Sequence, residues 1–310
     1  MRAKVSPRPF AEVVEAFLLQ KQVNGCSART VAVYKWWLDR LAAVVPDTSA
    51  VDPAAMTRFF AGLRERGVSP STVHQAFRTF RTFTRWLIAT GAIRRNRLDG
   101  LAIRTPKTLP AVPADEELNA VLQSCTDSPA GIRNYAAILM MADAGLRASE
   151  ALHLLVEDWR PADRSVFVRS GKGARDRVVF VGATTARALK AWLSVHPQPG
   201  PETWLFCQRD GRPLTNRGLV TILHRLSVRV GLPPDRRLHP HSLRHLAATA
   251  WLRNGMGLDQ VRRLLGHSSL NTTLRYSSLV SADLQQAHRD AGAIERMGVD
   301  RLQRARRRPA

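Results

Sequence analysis

Four short segments of this sequence hold nearly every polar residue whose type and spacing suit chemistry: AGLRASEALHL, SGKGARDR, HPHSLRHLAAT and LLGHSSLNTTLRYS. A phosphodiester under attack gains negative charge on its non-bridging oxygens, and guanidinium groups oppose that charge with fixed donors. The attacking oxygen must lose a proton and the departing oxygen must gain one. The segments contain candidates for all these roles, which are, in chain order, Arg147, Glu150, Lys172, His241, Arg244, His267 and Tyr276.

Tyr276 is the candidate nucleophile. The chain has three tyrosines, and both Tyr34 and Tyr135 lie within apolar helical patterns typical of packing residues. Tyr276 is flanked by Arg275 and serines, so we expect it to face a polar environment. A phenol, with a pKa near ~10, is a poor nucleophile until a base such as histidine takes its proton.

Arg147 follows Ala-Gly-Leu between two helical runs. Gly145 permits a sharp junction there, which places Arg147 at the start of a helix, where an anion is favoured. Glu150, three residues later, could hold the guanidinium in place. Taken alone, the two residues fit a purely structural ion pair equally well.

Lys172 lies between two glycines at the tip of a predicted hairpin. A lysine at such a tip can reach a neighbouring site and donate a proton to a departing oxygen. An ordinary exposed lysine in a turn is the alternative, and this local pattern by itself favours that alternative.

His241 and Arg244 are three residues apart at the start of a predicted helix, so they project on one side, toward its positive end. His239, His241 and His245 could instead ligate a metal. No nearby carboxylate or cysteine completes such a set, and Arg244 would repel a cation. We therefore expect no metal here, and we expect His245 to point inward as a hydrogen-bonded core histidine.

The N-terminal part of the chain is predicted to be entirely helical. The first helix spans about 10–20, and Ser27, Asp52-Pro53 and Ser69-Pro70 are typical starts of three more. The second is expected to carry Val33, Trp37, Leu41 and Val44. The fourth carries a basic stripe beside its apolar one, formed by His74, Arg78, Arg81 and Arg85. We expect this stripe to contact DNA phosphates, although a solvated charged face is the more frequent explanation for a single helix.

The rest of the chain is predicted to be helical with a small sheet. Prolines at 106, 110 and 113 mark a linker, and Asp115 is typical of a helix N-cap. Segments 165–169 and 177–181 form the hairpin, and a further short strand is expected near 204–206. Later helices are expected at about 184–195, 215–230, 241–254 and 258–265. The predicted divisions are a helical DNA-binding domain (1–105), a linker (106–113), a catalytic domain (114–290) and a basic tail (291–310).

The overall charge favours a polyanionic partner. Lys and Arg total 47 against 25 acidic residues, so the formal net charge is +22 and the sequence pI is near 11.5. Nucleic acid is the usual partner for such a balance, with an anionic membrane surface as the alternative. No apolar stretch is long enough to span a bilayer. The three cysteines are scattered, which argues against a disulfide framework and fits a reducing cytoplasm.

Together the four segments resemble the tyrosine recombinase family, also called phage integrases, and in particular its Xer-like bacterial members. The family pattern is Arg…Lys…His-x-x-Arg…His/Trp…Tyr, and the wording of Gly-Leu-Arg-x-Ser-Glu, Gly-Lys-Gly, His-x-Leu-Arg-His and Leu-Gly-His matches as well. The resemblance covers nearly the whole chain. It implies a mainly α fold with a small antiparallel sheet, made of an N-terminal SAM-like, four-helix core-binding domain and an α+β catalytic domain.

The resemblance also implies a mechanism. Tyr276 would attack the scissile phosphate to form a 3′-phosphotyrosyl link, with Arg147 and Arg244 holding the phosphate and His267 assisting. His241 would be the base, Lys172 the acid, and Glu150 would brace the site. Neither a metal nor ATP nor any other cofactor would be needed.

The implied partners are double-stranded DNA and further copies of the chain, four of which would act on two duplexes in the bacterial cytoplasm, at the nucleoid. A second recombinase or accessory proteins remain open, and so does the role of residues 291–310. The alternatives are a non-catalytic DNA-binding protein on this fold, a metal-dependent nuclease that uses the histidines, and a topoisomerase that uses the same tyrosine.

Overall fold

Helices dominate both halves of the chain. The computed structural model describes residues 9–45, 47, 51–96, 98–104, 112–169, 176–267, 269, 272–274 and 276. The chain divides into two compact units, Met1–Thr108 and Leu109–Ala310. The predicted linker, the tip of the hairpin with Lys172, and the basic tail lie wholly or mostly outside the described residues.

The first unit is built from helices that begin where the sequence predicts. They are α1 (Phe10–Val23), α2 (Ala28–Ala42), α3 (Pro53–Glu65) and α4 (Pro70–Ala89). Ser27, Asp52 and Ser69 each accept a hydrogen bond from a backbone N–H in the first turn of their helix. These caps satisfy donors that a helix start otherwise leaves unpaired, which explains why the three boundaries were predictable.

Aromatic rings fill the core of the first unit. Phe17 packs edge-on against Phe83 of α4, at 5.1 Å between ring centroids, and Trp37 of α2 is fully buried. The prediction that the second helix includes Val44 is wrong, because α2 ends at Ala42, and Val44 beyond it is 57% exposed.

The second unit is built from helices and one small sheet. Its helices are α5 (Asp115–Gln123), α6 (Pro129–Ala144), α7 (Ala148–Leu152), α8 (Ala183–Ser194), α9 (Asn216–Arg229), α10 (Pro240–Arg253) and α11 (Leu258–Leu265). The prediction that Asp115 is an N-cap is wrong by one residue. Ala114 is the cap, and its backbone N–H donates to the Glu117 carboxylate at 2.8 Å.

The sheet has three antiparallel strands in the order β1 (Trp159–Arg160), β2 (Ser165–Val168) and β3 (Arg177–Phe180). The predicted hairpin is therefore present, with Val168 opposite Arg177 at the end next to its connecting turn. Strand β1 was not predicted, since two residues are too few to show a pattern. The strand expected near 204–206 is instead represented by an isolated bridge between Leu155 and Trp204.

Two glycines in the left-handed region end the helices that border the candidate site. Gly145 follows α6 with φ 62°, and Gly266 follows α11 with φ 64°. A side chain is disfavoured at such φ values, so glycine lets the chain turn sharply at both points. Arg147 follows Gly145 after one residue, and His267 directly follows Gly266. Among the described helices, none is both long enough and apolar enough to cross a membrane.

Candidate active site

The Glu150 carboxylate lies at the centre of a cluster of arginines. It accepts from Arg147 Nη1 at 2.6 Å and from Arg177 through two bonds, at 3.0 and 2.8 Å. Arg244 Nη1 lies 3.6 Å from its Oε2 atom. The Glu150 side chain is only 10% exposed, so one largely buried carboxylate offsets part of the charge of three guanidiniums that would otherwise repel one another more strongly.

The charge state of Glu150 follows from these contacts. Burial opposes ionisation of the carboxyl, but the hydrogen bonds and charges of Arg177 and Arg147 outweigh it and lower the pKa of Glu150 to about 2. Glu150 is therefore ionised at neutral pH, as a brace for cations requires.

The same three arginines hold the end of α11. Each guanidinium donates to one of three consecutive backbone carbonyls there. The pairs are Arg177 Nε with Leu264 at 2.7 Å, Arg244 Nη2 with Leu265 at 2.6 Å, and Arg147 Nη2 with Gly266 at 3.3 Å. Cations at a helix C-terminus satisfy unpaired carbonyls and match the helix dipole. The cluster thus sets the position of the segment that carries His267.

Arg244 is the most deeply placed of the candidate anion ligands. Its side chain is 4% exposed and also donates to the Gly145 carbonyl at 2.8 Å. Burial, together with the neighbouring charge of Arg147, lowers the pKa of Arg244 to about 10. It remains a cation at neutral pH. The Arg147 side chain is 36% exposed, so it is the more accessible of the two guanidiniums.

Hydrogen bonds to Arg244 and Thr273 determine which ring nitrogen of His267 carries the hydrogen. Arg244 Nη2 lies 3.1 Å from Nε2 of His267, and a guanidinium can only donate. Nε2 therefore accepts, and Nδ1 carries the hydrogen that it donates to Thr273 Oγ1 at 2.9 Å. Both nitrogens of the His267 imidazole therefore form hydrogen bonds that hold the ring in place.

Tyr276 is buried, contrary to the expectation that it faces a polar environment. Its side chain is 4% exposed and packs with Ala248, Val261 and Leu265. The ring lies nearly parallel to His267, at 6.5 Å between centroids. Flanking polar residues were a poor guide, because burial depends on how this segment packs on α10 and α11.

The Tyr276 hydroxyl contacts a histidine to which the pattern Arg…Lys…His-x-x-Arg…His/Trp…Tyr assigns no role. Its Oη atom is 2.9 Å from Nδ1 of His245, which lies on α10. The expectation of a hydrogen-bonded, inward His245 is thus confirmed, and its partner is the candidate nucleophile. His241, one turn earlier on α10, is exposed. Lys172 lies outside the described residues, so its role stays a prediction.

Arg177 is the residue of this cluster that sequence reasoning missed. It lies in the SGKGARDR segment, five residues after Lys172, but a short strand does not reveal which face a side chain takes. Its side chain is 9% exposed and joins β3 to α7 and α11. An arginine at the start of an apolar strand was the available signal, since an arginine largely removed from solvent needs a carboxylate partner.

The basic stripe of the first unit is placed as predicted. Arg78, Arg81 and Arg85 are exposed along α4, whereas His74 is half-buried. Its contact with DNA stays a prediction. Across the described part of the chain, no group of three or more His, Cys, Asp or Glu side chains is arranged to hold a metal ion.

Comparison with known proteins identifies the family of this chain. Residues 113–282 match the phage integrase family, and residues 13–91 match the phage integrase N-terminal SAM-like domain. The chain is 33% identical over 273 residues to tyrosine recombinase XerC 1 of Ralstonia nicotianae, covering 81% of this chain and 82% of that protein. It is 34% identical to tyrosine recombinase XerC of Xylella fastidiosa, covering 83% and 88%. The chain therefore belongs to the phage integrase, or tyrosine recombinase, family.

Solved structures share the fold at low sequence identity. The Tn1549 transposon integrase in complex with transposon right end DNA has a TM-score of 0.77 at 18% identity, covering 92% of this chain and 100% of that one. The XerH site-specific recombinase bound to its palindromic difH substrate has a TM-score of 0.70 at 22% identity, covering 91% and 84%. A mainly α fold with a SAM-like domain and an integrase catalytic domain is thus confirmed.

Proposed function

We propose that this chain is a site-specific DNA recombinase that cleaves and rejoins strands through a 3′-phosphotyrosyl link to Tyr276. One observation carries the proposal. Arg147, Arg244, His267 and the Tyr276 phenol converge at the end of α11, although they are dispersed over 130 residues of sequence. Two anion-binding cations beside a phenol are what attack on a phosphodiester requires.

The reaction exchanges one phosphodiester for another. The Tyr276 O–H bond breaks as Oη bonds to phosphorus, and the proton passes to an imidazole. The bond from phosphorus to the 5′ oxygen breaks, and that oxygen takes a proton from the acid, for which Lys172 is the candidate. Arg147 and Arg244 donate to the phosphate oxygens as their negative charge grows.

The phosphotyrosyl link conserves the energy of the original bond. A 5′-hydroxyl from a second strand can therefore attack it and release Tyr276, without ATP or a bound metal. Exchange between two duplexes calls for more than one protomer, and we propose four, on double-stranded DNA. The two relatives named above come from bacteria, and we place this protein at the bacterial nucleoid in the cytoplasm.

The experiment that tests the proposal uses a nicked suicide substrate, from which the cleaved end diffuses away and traps the covalent complex. The wild-type chain should become linked to the DNA, in EDTA as well as in its absence. Tyr276→Phe should bind the same DNA with unchanged affinity and form no link.

Tyr135→Phe is the matched control, since Tyr135 packs against the core of the second unit. It should form the covalent complex at the wild-type rate. A covalent complex with the Tyr276→Phe protein contradicts the assignment of the nucleophile. Complete loss of cleavage in EDTA contradicts the metal-free mechanism.

A further inference from the structure

The hydrogen bond between His245 and Tyr276 has a chemical consequence. Nδ1 of His245 lies 2.9 Å from the phenol oxygen, and the two ring centroids are 5.4 Å apart. This is the separation at which a proton passes directly between oxygen and nitrogen. His245 directly follows Arg244 on α10, so the helix that holds the buried guanidinium also holds this imidazole at the nucleophile.

The other two histidines of the site are less suited to receive this proton. In His267, Nε2 accepts from Arg244 and Nδ1 donates to Thr273, so neither nitrogen can take a proton from Tyr276 unless one of these bonds breaks. His241 is exposed on the first turn of α10. Its position suits contact with DNA rather than contact with a buried phenol.

We propose that His245 is the residue that accepts the proton of Tyr276 during cleavage and returns it during rejoining. The inference rests on the proposed function. As Oη bonds to phosphorus, the O–H bond breaks and the proton moves to Nδ1 of His245. The 5′ oxygen leaves with the electron pair of its bond to phosphorus and takes a proton from the acid. In rejoining, a 5′-hydroxyl attacks, and Nδ1 returns the proton to Oη.

The surrounding charges determine how the step proceeds. The charge of the Arg244 guanidinium acts on Tyr276 and favours a phenolate. It also opposes a second cation at His245, the next residue along the chain. Glu150 lies 3.6 Å from Arg244 and offsets part of that charge. The DNA phosphate offsets more of it when bound, so proton transfer is favoured only in the complex with DNA.

Two substitutions of His245 separate proton transfer from positioning. In His245→Asn, the amide group occupies the place of Nδ1 and can hold the phenol by a hydrogen bond, but it accepts no proton. His245→Ala removes both functions. Loss of a positioned base lowers rates by about 100-fold or more. We therefore expect both variants to cleave the suicide substrate at least about 100-fold more slowly than wild type, with unchanged affinity for DNA. His245→Asn should keep the melting temperature of wild type, whereas His245→Ala should lower it, because it takes this hydrogen bond from the buried Tyr276 hydroxyl.

A tyrosine with a more acidic phenol distinguishes proton transfer by His245 from a merely structural role of this residue. A fluorinated tyrosine incorporated at position 276 loses its proton more readily, so it depends less on a base. It should recover most of the lost rate in His245→Asn, and it should alter the wild-type rate far less. The same replacement in His241→Asn should recover nothing if His245 is the acceptor.

Three outcomes overturn the inference. They are a wild-type rate in His245→Asn, a deficit in that variant that the acidic phenol does not reduce, and recovery in His241→Asn instead. His224→Gln is the control for replacing a histidine, because His224 is exposed on α9, and its rate should match wild type. Failure of the proposed function is distinct, since the wild-type chain would then form no covalent complex with any tyrosine at position 276.

Discussion

The Glu150 carboxylate interacts with three arginines at once. It accepts from the Arg147 backbone N–H at 2.8 Å as well as from the Arg147 and Arg177 guanidiniums, and it offsets the charge of Arg244. Two of these arginines are the candidate phosphate ligands. A DNA phosphate arriving at the site therefore meets cations that are already held in place, which avoids much of the cost of ordering them during the reaction.

Replacing Glu150 by Gln should change how stability depends on pH. Because the pKa of Glu150 falls from 4.5 to about 2 on folding, its ionised form stabilises the fold above about pH 4.5, and this contribution is lost as the pH falls through about 2. The difference corresponds to roughly 3 kcal/mol. We expect the free energies of unfolding of wild type and Glu150→Gln to differ most near neutral pH and to converge by about that amount toward pH 2.

Urea unfolding across this pH range provides the measurement. Glu202→Gln is the control, because Glu202 is exposed, and its difference from wild type should stay small throughout. If the free energies of unfolding of wild type and Glu150→Gln differ by the same amount at every pH, ionisation of the Glu150 carboxyl does not contribute to the pH dependence of stability.

Arg177 should affect catalysis without touching DNA. Its side chain is buried and bound to Glu150 by two hydrogen bonds, so Arg177→Lys keeps the charge but loses the two-point contact. We expect slower cleavage of the suicide substrate with unchanged affinity for DNA. Arg177→Gln leaves Glu150 with one fewer partner and should lower the free energy of unfolding by about 3 kcal/mol.

The control for Arg177 is the exposed Arg187 of α8, which donates to the Thr184 hydroxyl at 3.1 Å. Arg187→Lys should change neither rate nor stability. A weakened affinity for DNA in Arg177→Lys would mean that the side chain contacts the substrate directly.

At the scale of elements, the site depends on how α6 and α11 end. Gly145 turns the chain toward Arg147, and a Cβ atom there would lie 2.8 Å from the Trp251 ring. Gly266 turns the chain toward His267, and a Cβ atom there would lie 3.0 Å from Arg177 Nη1. Both glycines thus allow a backbone conformation that a side chain disfavours, and Gly145 also allows a close approach to Trp251.

Gly145→Ala should therefore be costly. The left-handed conformation costs about 1–2 kcal/mol for a residue with a Cβ atom, and the contact with Trp251 adds to this. We expect the free energy of unfolding to fall by roughly 2–3 kcal/mol, measured by urea denaturation. Gly62→Ala, inside α3, is the matched control. Its Cβ atom meets only Arg66, at 3.6 Å, so it should stabilise the fold by about 0.5–1 kcal/mol. Equal effects at the two glycines would contradict this account.

At the scale of the whole molecule, the excess of positive charge should govern affinity for DNA. The first 107 residues contain 18 basic and 7 acidic residues, and α4 presents Arg78, Arg81 and Arg85 to solvent. Each phosphate contact releases counterions, so affinity depends steeply on salt. If each arginine contacts one phosphate, their joint replacement by Gln should reduce the slope of log affinity against log salt by about 2 to 3.

The control for this change is a charge pair on another helix. Lys35 bonds Asp39 at 2.9 Å on α2, so the double replacement Lys35→Gln with Asp39→Asn leaves the net charge unchanged. Its slope should equal that of wild type. An unchanged slope in the triple-arginine variant would show that the α4 stripe is only a solvated face.

Much of the architecture was predictable because it depends on local interactions. Ser27, Asp52 and Ser69 cap helices through hydrogen bonds that span three residues, and such signals are visible in sequence. The hairpin flanking Gly-Lys-Gly was predictable for the same reason. The element boundaries that were predicted wrongly or missed are the end of α2 at Ala42, the start of α5 at Asp115 and the two-residue strand β1. At these points the conformational preferences of the local sequence are weak, so tertiary packing determines where the element begins or ends.

The amino-acid sequence by itself determined the family, the order of the catalytic candidates and most helix starts, because each depends on residue types at short, fixed spacings. Only the tertiary structure decided that Tyr276 is buried, that Arg177 joins the cluster, and that His245 rather than His241 contacts the phenol. His241 and His245 are one helical turn apart and look alike in sequence. Which of them meets Tyr276 depends on how α10 packs against a segment some 30 residues later, and no short-range pattern encodes that packing.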